Sequence, residues 1–313
     1  MKKGLTFTRT GANLRVDGSV KTTPSVADVV AKKRLGEEMI ARVDDLPALP
    51  SVVNQILTLI EDDTTNASNL ERYLRQDQAL TARLLRIVNS SFFGVRNKIT
   101  SIPQAIVMIG YNSLKNLVLA ASTSKILEGC FPGYGFKERG LWQHSFMAAT
   151  WAQTLAKQVG FTAQDSEELF VAGLMHDVGK LVLSSYISLN CKDMITHLIK
   201  SNGNIEEAEK NLVGIDHSEI GSRIAQKWNF SSKLSHIIKY HHNVEAACDY
   251  QKEVAMVNTV NYCLVQGRFG MYEHFPTNCS MTDACLQLLE LDMDKVRQIQ
   301  EHVNRSAERW EEV

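Results

Sequence analysis

The sequence predicts an all-α, bundle-like protein, on three observations. Strand signals are scarce, apolar residues recur at helical intervals from about residue 37 to the end, and the connections between these segments are short. The first 36 residues stand apart. Lys2, Lys3, Arg9, Arg15, Lys21, Lys32, Lys33 and Arg34 face only Asp17 and Asp28, with few large apolar residues among them, and most of the stretch reads as a mobile basic arm. The first helix, "LPALPSVVNQILTLI", starts with prolines at 47 and 50 and carries Val52, Val53, Ile56, Leu57 and Ile60 on one face. "ASNLERYLRQ" opens with Ser68 and Glu71 at capping-box spacing. "DQALTARLLRIVNSSFFG" places Leu80, Leu84, Ile87 and Val88 at helical intervals and stops at a Ser/Phe/Gly break. "SIPQAIVMIG" and "NSLKNLVLAAS" read as two short helices separated by Gly110 as a C-cap.

"EGCFPGYGFKERG", residues 128–140, holds four glycines and a proline and marks a subdomain boundary. The expected organisation is therefore the arm at 1–36, an N-terminal helical lobe at 37–128, a helical core at 141–267, and a C-terminal amphipathic segment at 280–313 with one helix near 283–310. Within the core, helices are expected near 141–158, 164–187, 190–201, 204–211, 216–229, 231–243 and 251–267. No internal repeat or low-complexity tract is present.

Composition narrows the function classes. At 313 residues, 44% hydrophobic and 22% charged, the chain has the make-up of an ordinary soluble globular protein. Its net charge of −1 provides no global field for nucleic acid or an anionic membrane. The paired helices at 101–122 and the basic arm offer only a weak case for nucleic acid, with Lys115 and Lys125 alone nearby. No segment is long and apolar enough to span a bilayer. Six cysteines without CxxC spacing point to reduced thiols and a cytoplasmic setting.

"GLMHDVGKLVL", residues 173–183, carries the chemistry. His176 and Asp177 sit among residues made for burial, where an ionised carboxylate is costly unless a metal, a cation or several hydrogen bonds compensate it. Lys180, four residues after His176 and three after Asp177, can share their face. His144 begins an inward run with Ala148, Ala152 and Leu155, and His217, after the N-cap candidate Asp216, leads a stripe of Ile220, Ile224 and Trp228. His241 lies below Ile237, and His242 below Ile238. A single histidine on an apolar face is usually a satisfied core residue, and a histidine pair at a helix end can simply interact with its dipole. The set is what points to a site: imidazoles from four helices with one carboxylate suit Zn, Fe, Mn or Ni, and helical bundles build metal centres in this way. Spacing alone does not show that they converge. His197, His236, His274 and His302 read as surface or loop residues.

His144, the His176–Asp177 dyad in "HDVGK", His217 in "DHSEIGSRIAQKW" and the pair at 241–242 resemble the ordered signature of the HD superfamily. The stretch from about 40 to 267 is similar to the HDOD domain, an HD-related output domain of bacterial signalling proteins. "LPALPSVVNQIL", "LRQDQALTARLLRIVNSSFFG" and "SIPQAIVMIGYNSLKNLVLA" carry that likeness in the first half. The resemblance implies an N-terminal helical lobe packed on an HD-like core. It also implies that His144, His176, Asp177, His217, His241 and His242 bind one or more divalent ions, and that Lys180 contacts phosphate. In catalytic relatives such a site hydrolyses phosphate esters, with Asp177 and Lys180 then in catalytic positions.

Two departures weigh against catalysis. The signature's closing Asp is replaced by Asn261 in "VNTVNYCLV", a weaker and uncharged donor. The Gly-Tyr-Pro block of relatives that cleave cyclic di-GMP is missing, with "HHNVEAACDYQKE" in its place. The resemblance thus leads to a metal-binding signalling module acting through signalling proteins. The alternative is a phosphohydrolase acting on a nucleotide, cyclic dinucleotide or other phosphorylated small molecule. Oligomeric state does not follow from the sequence.

Overall fold

A computed structural model describes residues 26–46, 55, 67–74, 76–90 and 93–310. Among them are fourteen α-helices and no strand, in agreement with the expected class. Two isolated bridges, Phe136 with Met271 and Asn204 with Asn278, are the nearest approach to sheet. The helix expected over 46–60, except Leu46 and Gln55, and the arm up to residue 25 lie outside the described residues, as does the Ser68 side chain of the capping box.

Helix α1 (Val26–Asp45) takes in residues 26–36, which sequence reading gave to the mobile arm. Met39 and Val43 are buried, and the helix packs on the second half of the chain. Lys227 Nζ secures its end by donating to the carbonyls of Val43, Asp44 and Leu46 at 2.9, 2.6 and 2.8 Å, neutralising the negative end of the helix. Residues 37–45 thus share one helix with the end of the stretch expected as an arm and pack on the second half of the chain.

That lobe contains α2 (Ala67–Leu74), α3 (Gln78–Val88) and α4 (Ile102–Leu127). Asp77 caps α3 through Leu80 N–H, and Leu80, Leu84, Ile87 and Val88 are buried as their spacing requires. Ser101 caps α4. Gly110 has φ 80° and ψ 166°, so it turns the chain by 115° instead of merely ending a helix. No single helix among the described residues is long and apolar enough to cross a membrane.

After the Gly/Pro-rich linker, α5 (Gly140–Gln158) pairs closely with α6 (Ala163–Met175). The helix expected over 164–187 is interrupted: α6 ends at Met175, residues 176–179 form a turn, and α7 runs Lys180–Leu189. The reason is packing. A Cβ on Gly179 would stand 1.9 Å from the His217 carbonyl oxygen, so this turn presses directly on the start of the helix that carries His217. Next come α8 (Cys191–Lys200), α9 (Ile205–Val213), α10 (His217–Lys227), α11 (Ser232–Tyr240) and α12 (Gln251–Gln266).

The C-terminal helix expected near 283–310 is also two helices, α13 (Asp283–Leu289) and α14 (Met293–Trp310). Glu290, at φ 53°, closes the first. Buried apolar residues from Met39 to Val303 form one continuous core across both halves.

Candidate metal centre

The inward histidines sit mostly at helix ends. His144 lies in the second turn of α5, His176 caps the C-terminus of α6, His217 is the first residue of α10, and His241 caps α11 with His242 next. Asp216 caps α10 by accepting Glu219 N–H at 2.8 Å, which fixes where His217 enters. Helix ends leave carbonyls without intrahelical partners, and two of these rings use them. His176 Nδ1 lies 2.7 Å from Gly173 O, and His241 Nδ1 lies 2.7 Å from Ile238 O.

A carbonyl only accepts, so both Nδ1 atoms carry the proton and both Nε2 atoms present a lone pair. His217 is oriented in the same sense by a carboxylate: its Nδ1 is 2.7 Å from Glu209 Oε2, which also accepts His217 N–H at 2.9 Å. Outer hydrogen bonds of this kind fix ring orientation in metal-binding histidines.

The Nε2 atoms converge on Asp177, which is fully buried. On one side, Oδ2 is 3.5 Å from His176 Nε2 and 3.7 Å from His144 Nε2, and His144 Nε2 is 3.1 Å from Asn261 Oδ1. On the other, Oδ1 is 3.2 Å from His217 Nε2 and 3.9 Å from His241 Nε2, and His242 Nε2 is 3.2 Å from His217 Nε2. The donors form two groups that could each hold an ion, sharing Asp177: His144 and His176, and His217, His241 and His242. Lys180 Nζ, nearly buried, contacts Asp177 Oδ2 at 2.6 Å.

Burial pushes His144 down to about 3 and lowers His176, His241 and His242, so these rings are neutral and ready to donate. Burial also works against the charged form of Asp177, but the Lys180 ammonium and His217 hold it well below the ordinary carboxylate range. Burial opposes charge on His217 too, yet Glu209 and Asp177 raise it to about 10. The surroundings of that ring are anionic and suited to a cation.

Of the inward atoms, His176 Nε2 is buried without any hydrogen-bond partner, and Asp177 Oδ1 has only the contact with His217 Nε2 at 3.2 Å, outside good hydrogen-bond geometry. Leaving such groups unsatisfied costs about 1–3 kcal/mol each, more for a charge. The neutral imidazoles of His144, His176, His241 and His242, one carboxylate and the orphaned atoms together fit a divalent ion of the Zn, Fe, Mn or Ni type. Access is narrow. Tyr134, Phe136, His144, Lys180, His242, Asn261 and a covering strap at 271–279 enclose a cavity of about 20 Å³. That is space for about one water.

All six metal-ligand candidates and Lys180 thus come together, with Asn261 beside His144. Sequence reading missed four neighbours. Glu209 is fully buried, Tyr134 donates to its Oε1 at 2.7 Å, Asn258 Nδ2 holds His241 O at 2.8 Å, and Cys279 Sγ approaches His242 Nδ1 at 4.0 Å. A signal for Glu209 existed: it falls between Ile205 and Val213 on the apolar stripe of α9. His236, assigned to the surface, is half-buried, with its ring 4.6 Å from that of Tyr240.

The family model of the HDOD domain matches residues 46–244, well over half of the chain. The chain is an HDOD-domain protein. It is 28% identical over 251 residues to an uncharacterized protein of Treponema pallidum, covering 78% of this chain but only 47% of that one. The chain therefore spans about half the length of this relative. An HDOD domain protein of unknown function from Geobacter sulfurreducens superposes with a TM-score of 0.65 at 26% identity, over 89% of this chain and 99% of that one. A candidate phosphohydrolase from Shewanella amazonensis gives a TM-score of 0.66 at 23% identity, over 87% and 97%, a likeness of fold.

Proposed function

We propose that this HDOD domain is a cytoplasmic signalling module that binds divalent metal and acts through contacts with signalling proteins. One ion would be held by His144, His176 and Asp177 with Asn261, and a second by His217, His241, His242 and the other oxygen of Asp177. The observation that carries this reading is the orientation of the rings. His176, His217 and His241 each commit Nδ1 outward, so that three Nε2 atoms meet around one buried carboxylate. When bound, the ion supplies positive charge that offsets Asp177 and acts as a Lewis acid.

The residues of the chain hold the ion and exclude water. Lys180 compensates Asp177 from the cavity side, and the 271–279 strap covers the centre. A space of about 20 Å³ accommodates no nucleotide, and Asn261 brings no charge; both favour regulation over turnover.

Phosphohydrolysis of a nucleotide or cyclic dinucleotide is the second reading. It is favoured by Lys180, a cation lining the same cavity as His144 and His242, where an anionic phosphate would meet it once the strap moved. Metal analysis of protein purified without chelators or a nickel column tests the first reading. Stoichiometric first-row metal that falls in His176→Ala is expected, whereas metal-free protein whose melting temperature ignores added Zn(II), Mn(II) and Fe(II) contradicts it. A pull-down without any partner counts against the signalling role. Phosphodiesterase activity abolished by Asp177→Ala would establish the second.

A further inference from the structure

Glu209 and Tyr134 stand outside the donor set, yet they are bonded into it. The two oxygens of Glu209 have separate duties. Oε2 accepts both N–H and Nδ1–H of His217, at 2.9 and 2.7 Å, while Oε1 accepts the Tyr134 hydroxyl at 2.7 Å. Glu209 is fully buried and Tyr134 is 1% exposed, so these bonds face no competition from bulk water.

Tyr134 does not come from the histidine-bearing helices. It sits in the short 3-10 turn Pro132–Tyr134, inside the linker that joins the N-terminal lobe to α5. The linker is fastened to the strap over the metal centre. Lys137 N–H donates to Gly270 O at 2.9 Å, Tyr272 N–H donates to Gly135 O at 2.8 Å, and the Phe275 ring lies where a Cβ on Gly135 would be. A continuous path, Tyr134 to Glu209 to His217, therefore runs from the junction of the two halves to one side of Asp177.

We propose that Glu209 and Tyr134 form an outer relay that orients His217 for a divalent ion. Occupancy of the His217–His241–His242 side is thereby tied to the seating of the linker between the two halves. This inference rests on the metal-binding reading and adds a regulatory element to it. The chemistry is direct. A ring whose Nδ1–H donates to a carboxylate is fixed in one tautomer and is a better Nε2 donor, and loss of such an outer partner weakens metal affinity by about 10–100-fold. Glu209 is in turn held by three donors, so removing the Tyr134 hydroxyl frees one of its oxygens. Both are positioning residues; neither reaches the ion.

The test uses the full chain, stripped of metal and titrated with Co(II), whose visible spectrum reports ligand geometry. Wild type is expected to take up two equivalents. Glu209→Gln keeps one acceptor oxygen for His217 but removes the charge and turns an amide NH2 toward the Tyr134 hydroxyl; it should retain the first equivalent and bind the second about 10–100-fold more weakly. Tyr134→Phe should weaken the same equivalent by a smaller factor, and it carries the test if Glu209→Gln does not fold. Hydrogen exchange at 131–137 should slow when wild type is saturated with Co(II), and should respond less in either variant.

Two ions bound by both variants with wild-type affinity and spectrum would overturn the relay while leaving the metal centre intact, as would linker exchange indifferent to Co(II). Wild type that binds no Co(II) would instead remove the metal-binding reading itself.

Discussion

At Lys233 one ammonium reaches three carboxylates, Asp165 at 2.7 Å, Glu253 at 2.9 Å and Glu168 at 3.1 Å. At Asp177 one carboxylate faces one ammonium and a wall of imidazoles. Both clusters bring together residues from distant parts of the chain, but only the first is complete. Lys233 uses its three donors on three acceptors and remains partly in contact with water. The Asp177 cluster is buried except at His242, and it still leaves His176 Nε2 without a partner and Asp177 Oδ1 with only a poorly aligned contact to His217. A charge cluster that satisfies itself is a fastening. One that leaves inward lone pairs orphaned at a cost of about 1–3 kcal/mol each is arranged for something else.

The contrast predicts a graded set of outcomes. Asp177→Ala should have the largest effect. It removes the group shared by both donor sets, so both ions are lost, and it strands Lys180, which lowers the unfolding free energy of the metal-free protein by about 3–5 kcal/mol. Metal content and chemical denaturation measure the two consequences. His217→Ala should leave one ion per chain in place of two, because His144 and His176 remain on the other side of Asp177.

Asn261→Asp acts in the opposite direction. An added carboxylate 3.1 Å from His144 should raise affinity on that side by about tenfold or more. It should also lower the stability of the chelated protein, since a second negative charge then joins Asp177. Competition with a chromophoric chelator and melting in EDTA check both signs.

Lys233→Met should do least: no change in metal content and about 1 kcal/mol of stability. Burial opposes charge on Lys233, but hydrogen bonds to its three carboxylates raise it well above its ordinary 10.5. Its contribution is therefore present below pH 10.5 and lost as pH rises through the elevated value. Hydrogen bonds from Lys233 and Thr162 lower Asp165 below its ordinary 3.8, so that contribution is present above 3.8 and lost as pH falls through the depressed value. The stability difference between wild type and Lys233→Met should stay level between those limits.

Much of this contrast can be read from one-dimensional patterns. Helical periodicity gives the class, and the inward phase of His144, His217 and His241 follows from the apolar residues three and four positions away. Breaks in helices were harder. The turn at 176–179 is hidden because apolar residues run up to it from both sides in helical phase, and only the press of Gly179 on His217 explains it. Glu290 closes α13 in a left-handed conformation that no glycine or proline announces. Helix α1 looked like an arm because its charges mask a few buried contacts, and the carbonyl bonds of Lys227 join residues some 180 positions apart. Tyr134 and Cys279 reach the centre from a linker and a strap, where no periodicity exists to place them. Glu209 shows the limit from the other direction: its phase was visible, but its partner His217 is set by the fold.

Anomalous diffraction at a metal absorption edge, from crystals of the full chain grown with Mn(II) or Zn(II), decides whether the Asp177 centre holds metal. Two peaks are predicted, one on each side of the Asp177 carboxylate, with no density beside the three acids around Lys233. An empty Asp177 centre, or a peak only among those acids, would contradict the account.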